Sequence, residues 1–268
     1  MKISKQIKSK ISKDGKLTIS IDNVEVPEPN EGEVLLKVQA TPINPSDLGL
    51  LVGPADVSSL KTIEKGTKVE MKVPEALLRS VTARLDQNLP VGNEGSGVVE
   101  VAGKGAEHLI GKTVGVAGGA MYSEYRCLPA SSCLEMNEGT SPEHAASCFV
   151  NPLTALGMVE TMRDEGHTGL VHTAAASNLG QMLIKICSKE QIPLVNIVRK
   201  EEHVEMLKDL GAVDVCNSSL DGFMEDLVDA LVNTGATLGF DATGGGKLAS
   251  QILTAMEISA NKTATEYS

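Results

Sequence analysis

The alternation of apolar and polar positions divides the chain into two halves of different period. In Lys16–Val24, Leu17, Ile19 and Ile21 alternate with Lys16, Thr18 and Ser20; in Glu33–Ala40, Val34, Leu36, Val38 and Ala40 share one face while Lys37 and Gln39 lie on the other. Both patterns predict half-buried strands. Further short strands are expected around Gly97–Val101 and Thr113–Ala117, divided by glycine turns at Gly103–Gly105 and Gly118–Gly119. Between them, Pro54–Leu89 is polar and reads as an irregular excursion whose one helical hint is Pro74–Arg84.

From about Pro152 the period lengthens. Pro152–Glu165 predicts a helix, with Pro152 at its start, Leu153, Leu156 and Val159 on one stripe, and Gly166 beyond its end. A run of strand and helix then repeats: strand Gly169–Ala174, helix Asn178–Ser188, strand Leu194–Arg199, helix Glu201–Leu210, strand Asp214–Asn217, helix Asp221–Val232, strand Thr237–Thr243, helix Lys247–Ile258. Leu179, Met182, Leu183, Ile186 and Cys187 form the stripe a sheet-covering helix needs. Four β-α units in succession predict an α/β fold with a doubly wound parallel sheet. A dinucleotide-binding sheet of this type has six strands in two halves, so the sheet is expected to be incomplete, about four strands of six, and the polar end Asn261–Ser268 reads as a C-terminal truncation. The expected domains are residues 1–150 and 151–268.

Composition narrows the function by exclusion. Of 268 residues, 35 are acidic and 24 basic, a formal charge of −11 that is opposite in sign to what phosphate backbones and anionic membranes select. Apolar residues at 41% and a mean hydropathy of −0.01 are those of a globular protein. With no Trp, three Tyr and three Phe, base-stacking platforms can hardly be built. The N-terminus lacks the apolar core of a signal peptide and no run approaches the ~18 apolar residues of a membrane span, so a cytoplasmic location is expected. Cys127, Cys133, Cys148, Cys187 and Cys216 include no C-x-x-C and are expected as reduced thiols. The five histidines, His108, His144, His167, His172 and His203, show no metal-ligand pairing and read as surface or satisfied core residues.

The candidate chemistry sits in the first β-α turn, His172-Thr-Ala-Ala-Ala-Ser-Asn-Leu-Gly180. Laid on G-x-G-x-x-G it retains only the last glycine, Gly180, but it follows a strand and opens a helix, the context in which backbone N–H groups receive a pyrophosphate. Ser177 and Asn178 are candidate donors to that group, and Ser177 is equally suited to be an N-cap. At the end of the second strand, where an acid would bind a ribose 2′-hydroxyl, stand Arg199 and Lys200; a guanidinium there suits a 2′-phosphate.

The segments Thr41-Pro-Ile-Asn-Pro-Ser-Asp47, Leu89-Pro-Val-Gly-Asn-Glu-Gly-Ser-Gly97, Asn151-Pro-Leu-Thr-Ala155, Ala176-Ser-Asn-Leu-Gly-Gln181 and Val195-Asn-Ile-Val-Arg199, in this order, resemble the medium-chain dehydrogenase/reductase superfamily, in particular its zinc-independent NADPH:quinone oxidoreductase and 2-enoyl thioester reductase branches. The resemblance implies a GroES-like β-barrel catalytic domain followed by a Rossmann domain, and NADPH as cofactor. It places Asn44, Asn151 and Thr154 near the nicotinamide and its ribose, Ala176, Ser177, Asn178, Leu179 and Gly180 at the pyrophosphate, Arg199 and Lys200 at the 2′-phosphate, and Thr243 and Gly244 close to the cofactor. It also implies a homodimer for the full-length protein.

Two departures qualify the resemblance. Where zinc-dependent relatives carry Cys and Gly-His-Glu, this chain has Pro45-Ser46-Asp47 and Gly92-Asn93-Glu94, so no metal is expected. Where enoyl thioester reductases carry a proton-donating Tyr, it reads Leu50-Leu-Val-Gly-Pro-Ala-Asp56; Tyr122 or Tyr125 is the candidate substitute. The expectation is therefore hydride transfer from NADPH to a quinone or other conjugated carbonyl small molecule, with Asn44 and Tyr122 as catalytic candidates. The alternatives are a 2-enoyl thioester reductase, a non-catalytic NADPH-binding sensor, or an inactive fragment.

Overall fold

The computed structural model describes residues 2–264 and divides the chain into two compact units, Met1–Val150 and Asn151–Ser268. The first unit holds two antiparallel sheets. One comprises β1 (Lys2–Ser12), β2 (Lys16–Val26), β4 (Asp56–Glu64), β5 (Lys68–Lys72) and β6 (Leu89–Pro90), in the order β4-β5-β2-β1-β6. The other comprises β3 (Glu33–Ala40), β7 (Glu94–Ala102), β8 (Thr113–Ala117), β9 (Tyr125–Pro129) and β10 (Cys133–Glu135), in the order β10-β8-β7-β3-β9. Three short helices, α1 (Pro45–Leu51), α2 (Glu75–Leu78) and α3 (Pro142–Ala145), lie between the strands. Val34, Leu36, Val99, Val114, Val116 and Met121 fill the core of the second sheet, whereas Ile11, Leu17, Met71 and Val73 form a smaller core under the first.

Two regions of the first unit depart from the sequence expectation. Lys2–Ser12 is a long strand, paired with β2 at every position, although no strand is predicted there. The reason is chemical: two of its fully buried positions are Ser4 and Ser9, whose hydroxyls bond the Lys5 and Leu51 carbonyls, so the inward face does not read as apolar. The excursion Pro54–Leu89 is likewise ordered, as the hairpin β4-β5 paired onto β2. Val57, Leu60 and Ile63 of β4 are all exposed, and a strand with neither face buried leaves no alternation to detect.

Arg84 ties this excursion to α1. Its guanidinium donates to the carbonyls of Leu50 at 2.7 Å and Gly53 at 3.1 Å, at the C-terminal end of the helix, where carbonyls lack intrahelical partners. It has no carboxylate partner among the described residues, and burial lowers its pKa.

The second unit opens with α4 (Val150–Asp164) and continues as β11 (Leu170–His172), α5 (Asn178–Glu190), β12 (Leu194–Val198), α6 (Glu201–Asp209), β13 (Asp214–Asn217), α7 (Phe223–Thr234), β14 (Leu238–Phe240) and α8 (Leu248–Thr263). The four strands are parallel in the order β13-β12-β11-β14. β12 is buried at all five positions, as a parallel strand covered on both faces must be. On one face Leu170, Leu183, Cys187, Val204 and Leu207 pack with α4, α5 and α6; on the other Val171, Val195, Ile197, Leu227, Leu231 and Ala255 pack with α7 and α8. In α4 the buried stripe is Ala155, Val159 and Met162, while Leu153 and Leu156 are exposed, a correction to the expected stripe. No helix among the described residues is long and apolar enough to cross a membrane.

Replacing Arg84 with Met keeps the aliphatic stem but leaves the α1 carbonyls without their charged donor. The expected cost is about 2–3 kcal/mol, read as a lower urea midpoint; because no ion pair is lost, the shift stays the same at low and high salt.

Candidate functional site

The C-terminal ends of β11 and β12 define the chemistry of the second unit. Between β11 and α5 the chain turns through Ala174 (φ 50°), and Ser177 caps α5, its hydroxyl accepting from the Gly180 amide at 3.2 Å. A Cβ at position 180 would lie 2.1 Å from the Ala175 carbonyl, so only glycine lets the helix start this close to the turn. Beside this turn is a cavity of about 360 Å³ lined by Ala174, Ala176, Ser177, Ile197, Val198, Arg199, Lys200, His203, Ser218, Thr243 and Leu248. The Arg199 guanidinium has no ion-pair partner among the described residues, whereas the Lys200 ammonium lies 3.0 Å from Glu202.

Of the residues singled out from sequence, Ala176, Ser177, Arg199, Lys200 and Thr243 meet at this cavity. Asn178 and Leu179 form the first turn of α5, with Gly180 buried behind them. Gly244 lies in the loop after β14, where Gly244, Gly245 and Gly246 all have positive φ. Asn151 and Thr154 stand in the first two turns of α4. Asp241, not singled out from sequence, fastens the base of the Gly244 loop: it accepts from the Thr173 hydroxyl at 2.8 Å and the Thr243 hydroxyl at 2.6 Å. The Thr243 bond leads the effects that hold its carboxyl below the usual range.

The first unit carries a second, separate arrangement around α1. Asn44 is the N-cap, and Asp47, three residues on, reaches back so that its carboxylate accepts from the Asn44 amide at 2.9 Å, as in a capping box. The other oxygen of Asp47 accepts from the Asn93 amide at 2.8 Å. Glu94, also buried, accepts from the Asn44 side-chain amide at 2.9 Å through one oxygen and from the amides of Phe149 and Val150 at 3.0 and 2.9 Å through the other. Neither carboxylate is among the sequence candidates. Asp47 was legible from its spacing to the cap, and Glu94 from being the one charge in a run of glycine and small residues.

Tyr122 lies in a loop before β9. Its hydroxyl donates to the Pro42 carbonyl at 3.0 Å, and burial, reinforced by the charge of Asp47, pushes its pKa up to about 12. It lines a cavity of about 380 Å³ with Val38, Thr41, Ile43 and Met121. Its ring is seated against Gly92, whose φ is +99° and where a Cβ would lie 2.6 Å from the ring. Tyr125, the other candidate, is covered by the Lys2 ammonium, 3.7 Å from the ring centre. Ser46 accepts from the Asn93 side chain at 3.0 Å, and no cluster of three metal-ligating side chains occurs among the described residues.

His172 corrects the sequence reading in one respect. It is fully buried, but neither ring nitrogen has a hydrogen-bond partner among the described residues, so it is a core histidine that is not satisfied. Burial pushes its pKa down to about 4.

No family model matches the chain. Among curated proteins it is 30% identical over 197 residues to a mitochondrial enoyl-(acyl-carrier-protein) reductase of Caenorhabditis elegans, covering 70% of this chain and 49% of that protein. It is 27% identical over 203 residues to an NADPH quinone oxidoreductase of Kluyveromyces marxianus, covering 73% and 50%. The chain spans about half the length of the curated relatives it matches. A solved structure assigned as an NADPH:quinone reductase of Mesorhizobium loti superposes with a TM-score of 0.70 at 26% identity, over 95% of this chain and 71% of that one. The mixed α/β architecture, antiparallel sheets followed by a parallel one, is that of these structural neighbours.

The His172 pKa fixes a dependence of stability on pH. Unfolded, the imidazole titrates near 6.5; folded, near 4. Below pH 6.5 the unfolded chain therefore takes up a proton that the folded one refuses. Stability falls by about 3 kcal/mol in total as pH drops from 6.5 to 4. Denaturant titrations across this range should show His172→Leu gaining steadily on the wild type as pH falls; a constant difference would contradict the assignment.

Proposed function

We propose that this chain, whose homologues and structural neighbours are NADPH:quinone oxidoreductase-like and enoyl reductase-like members of the medium-chain dehydrogenase/reductase family, is the NADPH-dependent reductase of a quinone or other conjugated carbonyl compound. The observation that carries this reading is the cationic cavity at the ends of β11 and β12: Arg199 and Lys200 line it, no carboxylate does, and the chain as a whole has a charge of −11. Bound there, NADPH supplies a hydride from its nicotinamide.

The chain's own residues take the following roles in this proposal. The guanidinium of Arg199 offers a bidentate, charge-assisted fork to the adenosine 2′-phosphate, with Lys200 beside it. The start of α5, from Ala176 through Gly180, directs backbone N–H groups and the positive end of the helix dipole to the pyrophosphate; Thr243 and Gly244 close the site from the loop after β14. Asn151 and Thr154 of α4 bind the nicotinamide end, and Asn44, in the first unit, is a catalytic candidate. Asn44 is suited to this because Glu94 and Asp47 fix both its side chain and its backbone, leaving little rotamer freedom to lose. Tyr122, whose pKa of about 12 keeps its hydroxyl protonated at neutral pH, releases the Pro42 carbonyl to donate a hydrogen bond or proton to the acceptor oxygen. No zinc takes part, since Ser46 and Asn93 occupy ligand positions and bond each other.

The acceptor separates two versions of this reading. Reduced quinone oxygens draw protons from solvent, whereas an enone or enoyl thioester needs a placed donor. The similarity to mitochondrial enoyl reductases favours the enoyl version, and the absence of a Tyr after Asp47 favours the quinone version. Tyr122→Phe should leave quinone reduction within about threefold of wild type and lower enone or enoyl thioester reduction by about 100-fold, as monitored by NADPH consumption. Tight NADPH binding with no turnover of any of these acceptors would identify a cofactor-binding protein without catalysis.

The cofactor assignment is tested by calorimetry. Arg199→Ala should weaken NADPH binding roughly 10–100-fold and leave NADH nearly unchanged, with a smaller loss for Lys200→Ala. Equal losses for both cofactors would mean that Arg199 supports the fold and does not read the phosphate.

A further inference from the structure

The cavity beside Arg199 is lined by a histidine that neither the charge pattern nor the motif indicated. His203, in the first turn of α6, lines the same space as Arg199 and Lys200. The β12 end and the start of α6 contribute Arg199, Lys200 and His203; the β11-α5 turn contributes Ala174, Ala176 and Ser177; the segment after β13 contributes Ser218; and the segment after β14 contributes Thr243 and Leu248, none of them titratable. Three carboxylates stand nearby, none of them lining the cavity: Asp241 accepts from the Thr243 hydroxyl at 2.6 Å, Glu201 accepts from the Asn217 side-chain amide at 3.2 Å, and the third is Glu202. Glu202 lies 3.8 Å from the His203 Nε2 and 3.0 Å from the Lys200 ammonium, and it does not line the cavity.

We propose that His203 is a specificity-determining residue of this site, a switchable third cation whose protonation tightens the grip on the adenosine 2′-phosphate as pH falls. The proposal rests on reading the cavity as the NADPH site. Imidazole as a side-chain type changes charge between pH 5 and 8, whereas guanidinium and primary ammonium groups stay charged across that range. Two permanent cations therefore set the preference for the phosphorylated cofactor, and His203 adjusts its strength. When a phosphate enters, it competes with Glu202 for both Lys200 and His203. NADH offers no group to His203, and its affinity does not follow this titration.

The experiment compares NADP+ and NAD+, which survive mild acid, by calorimetry at pH 6 and pH 8 and constant ionic strength, with wild type, His203→Gln and His203→Lys. The phosphate itself takes up a proton near pH 6, equally for every variant, so the ratio of variant to wild-type affinity isolates residue 203. His203→Gln should bind NADP+ about 5–10-fold more weakly than wild type at pH 6 and within twofold at pH 8, with NAD+ unaffected at both. His203→Lys should restore tight NADP+ binding at both pH values, which shows that charge and not shape is needed. A His203→Gln ratio that is the same at pH 6 and pH 8, or an equal loss for NAD+, overturns the proposal. Arg199→Ala in the same titrations separates this failure from failure of the underlying reading: if Arg199→Ala also leaves NADP+ binding intact, the cavity is not the phosphate site and both fall together.

Discussion

The burial of two carboxylates around α1 constrains the first unit more than any other interaction. Asp47 and Glu94 are each about 1% exposed, and a buried charge is tolerated only where hydrogen bonds replace its lost water. Asp47 obtains them from the amides of Asn44 and Asn93; Glu94 from the Asn44 side chain and from the amides of Phe149 and Val150. Three segments distant in sequence, 44–47, 93–94 and 149–150, must arrive together for both charges to be satisfied. The position of Asn44 follows from this arithmetic of donors and acceptors, because it serves both carboxylates at once. Arg84 secures the far end of the same helix, so α1 is held by charge-assisted bonds at both termini although it has only seven residues.

In the second unit the constraint is geometric. A parallel sheet places the ends of all its strands along one edge, and in the order β13-β12-β11-β14 the two central strands are β11 and β12. The turn that begins α5, the cation pair that follows β12, and the loop that follows β14 therefore open onto the same edge. Ser218, after β13, completes the cavity from the side. This juxtaposition requires no special loop, only the handedness that parallel connections share.

The parallel half was legible in the sequence because both of its periods are strong. Asp214–Asn217 is read with its true bounds, and the strand at Leu194 and the helix at Asn178 each begin where expected. The antiparallel half was legible only where one face is apolar. β1 hides its inward face behind Ser4 and Ser9, and β4 has no inward face, so neither registers as an alternation. The candidate site divides in the same way. Arg199 and Lys200 follow from their position at a strand end, whereas His203 contributes from a helix whose apolar stripe gives no sign of the cavity. Asn44 was indicated by resemblance, but its buried acidic partners emerge only when the chain brings residue 44 beside residue 94. His172 illustrates the opposite limit: the sequence reads it as a surface or satisfied core residue, and nothing short of three dimensions reveals that it is buried with neither ring nitrogen partnered among the described residues.

The contact between Gly92 and Tyr122 bears on how such a chain changes over generations. The ring occupies the space that any side chain at position 92 would need, and the backbone at that position is one that other residues rarely adopt. The two positions are consequently inherited as one choice. A lineage that loses the tyrosine to a smaller residue relaxes only the steric half of the restriction; once a larger residue settles at position 92, the aromatic ring has no place to return to. The loss of Tyr122 then becomes irreversible.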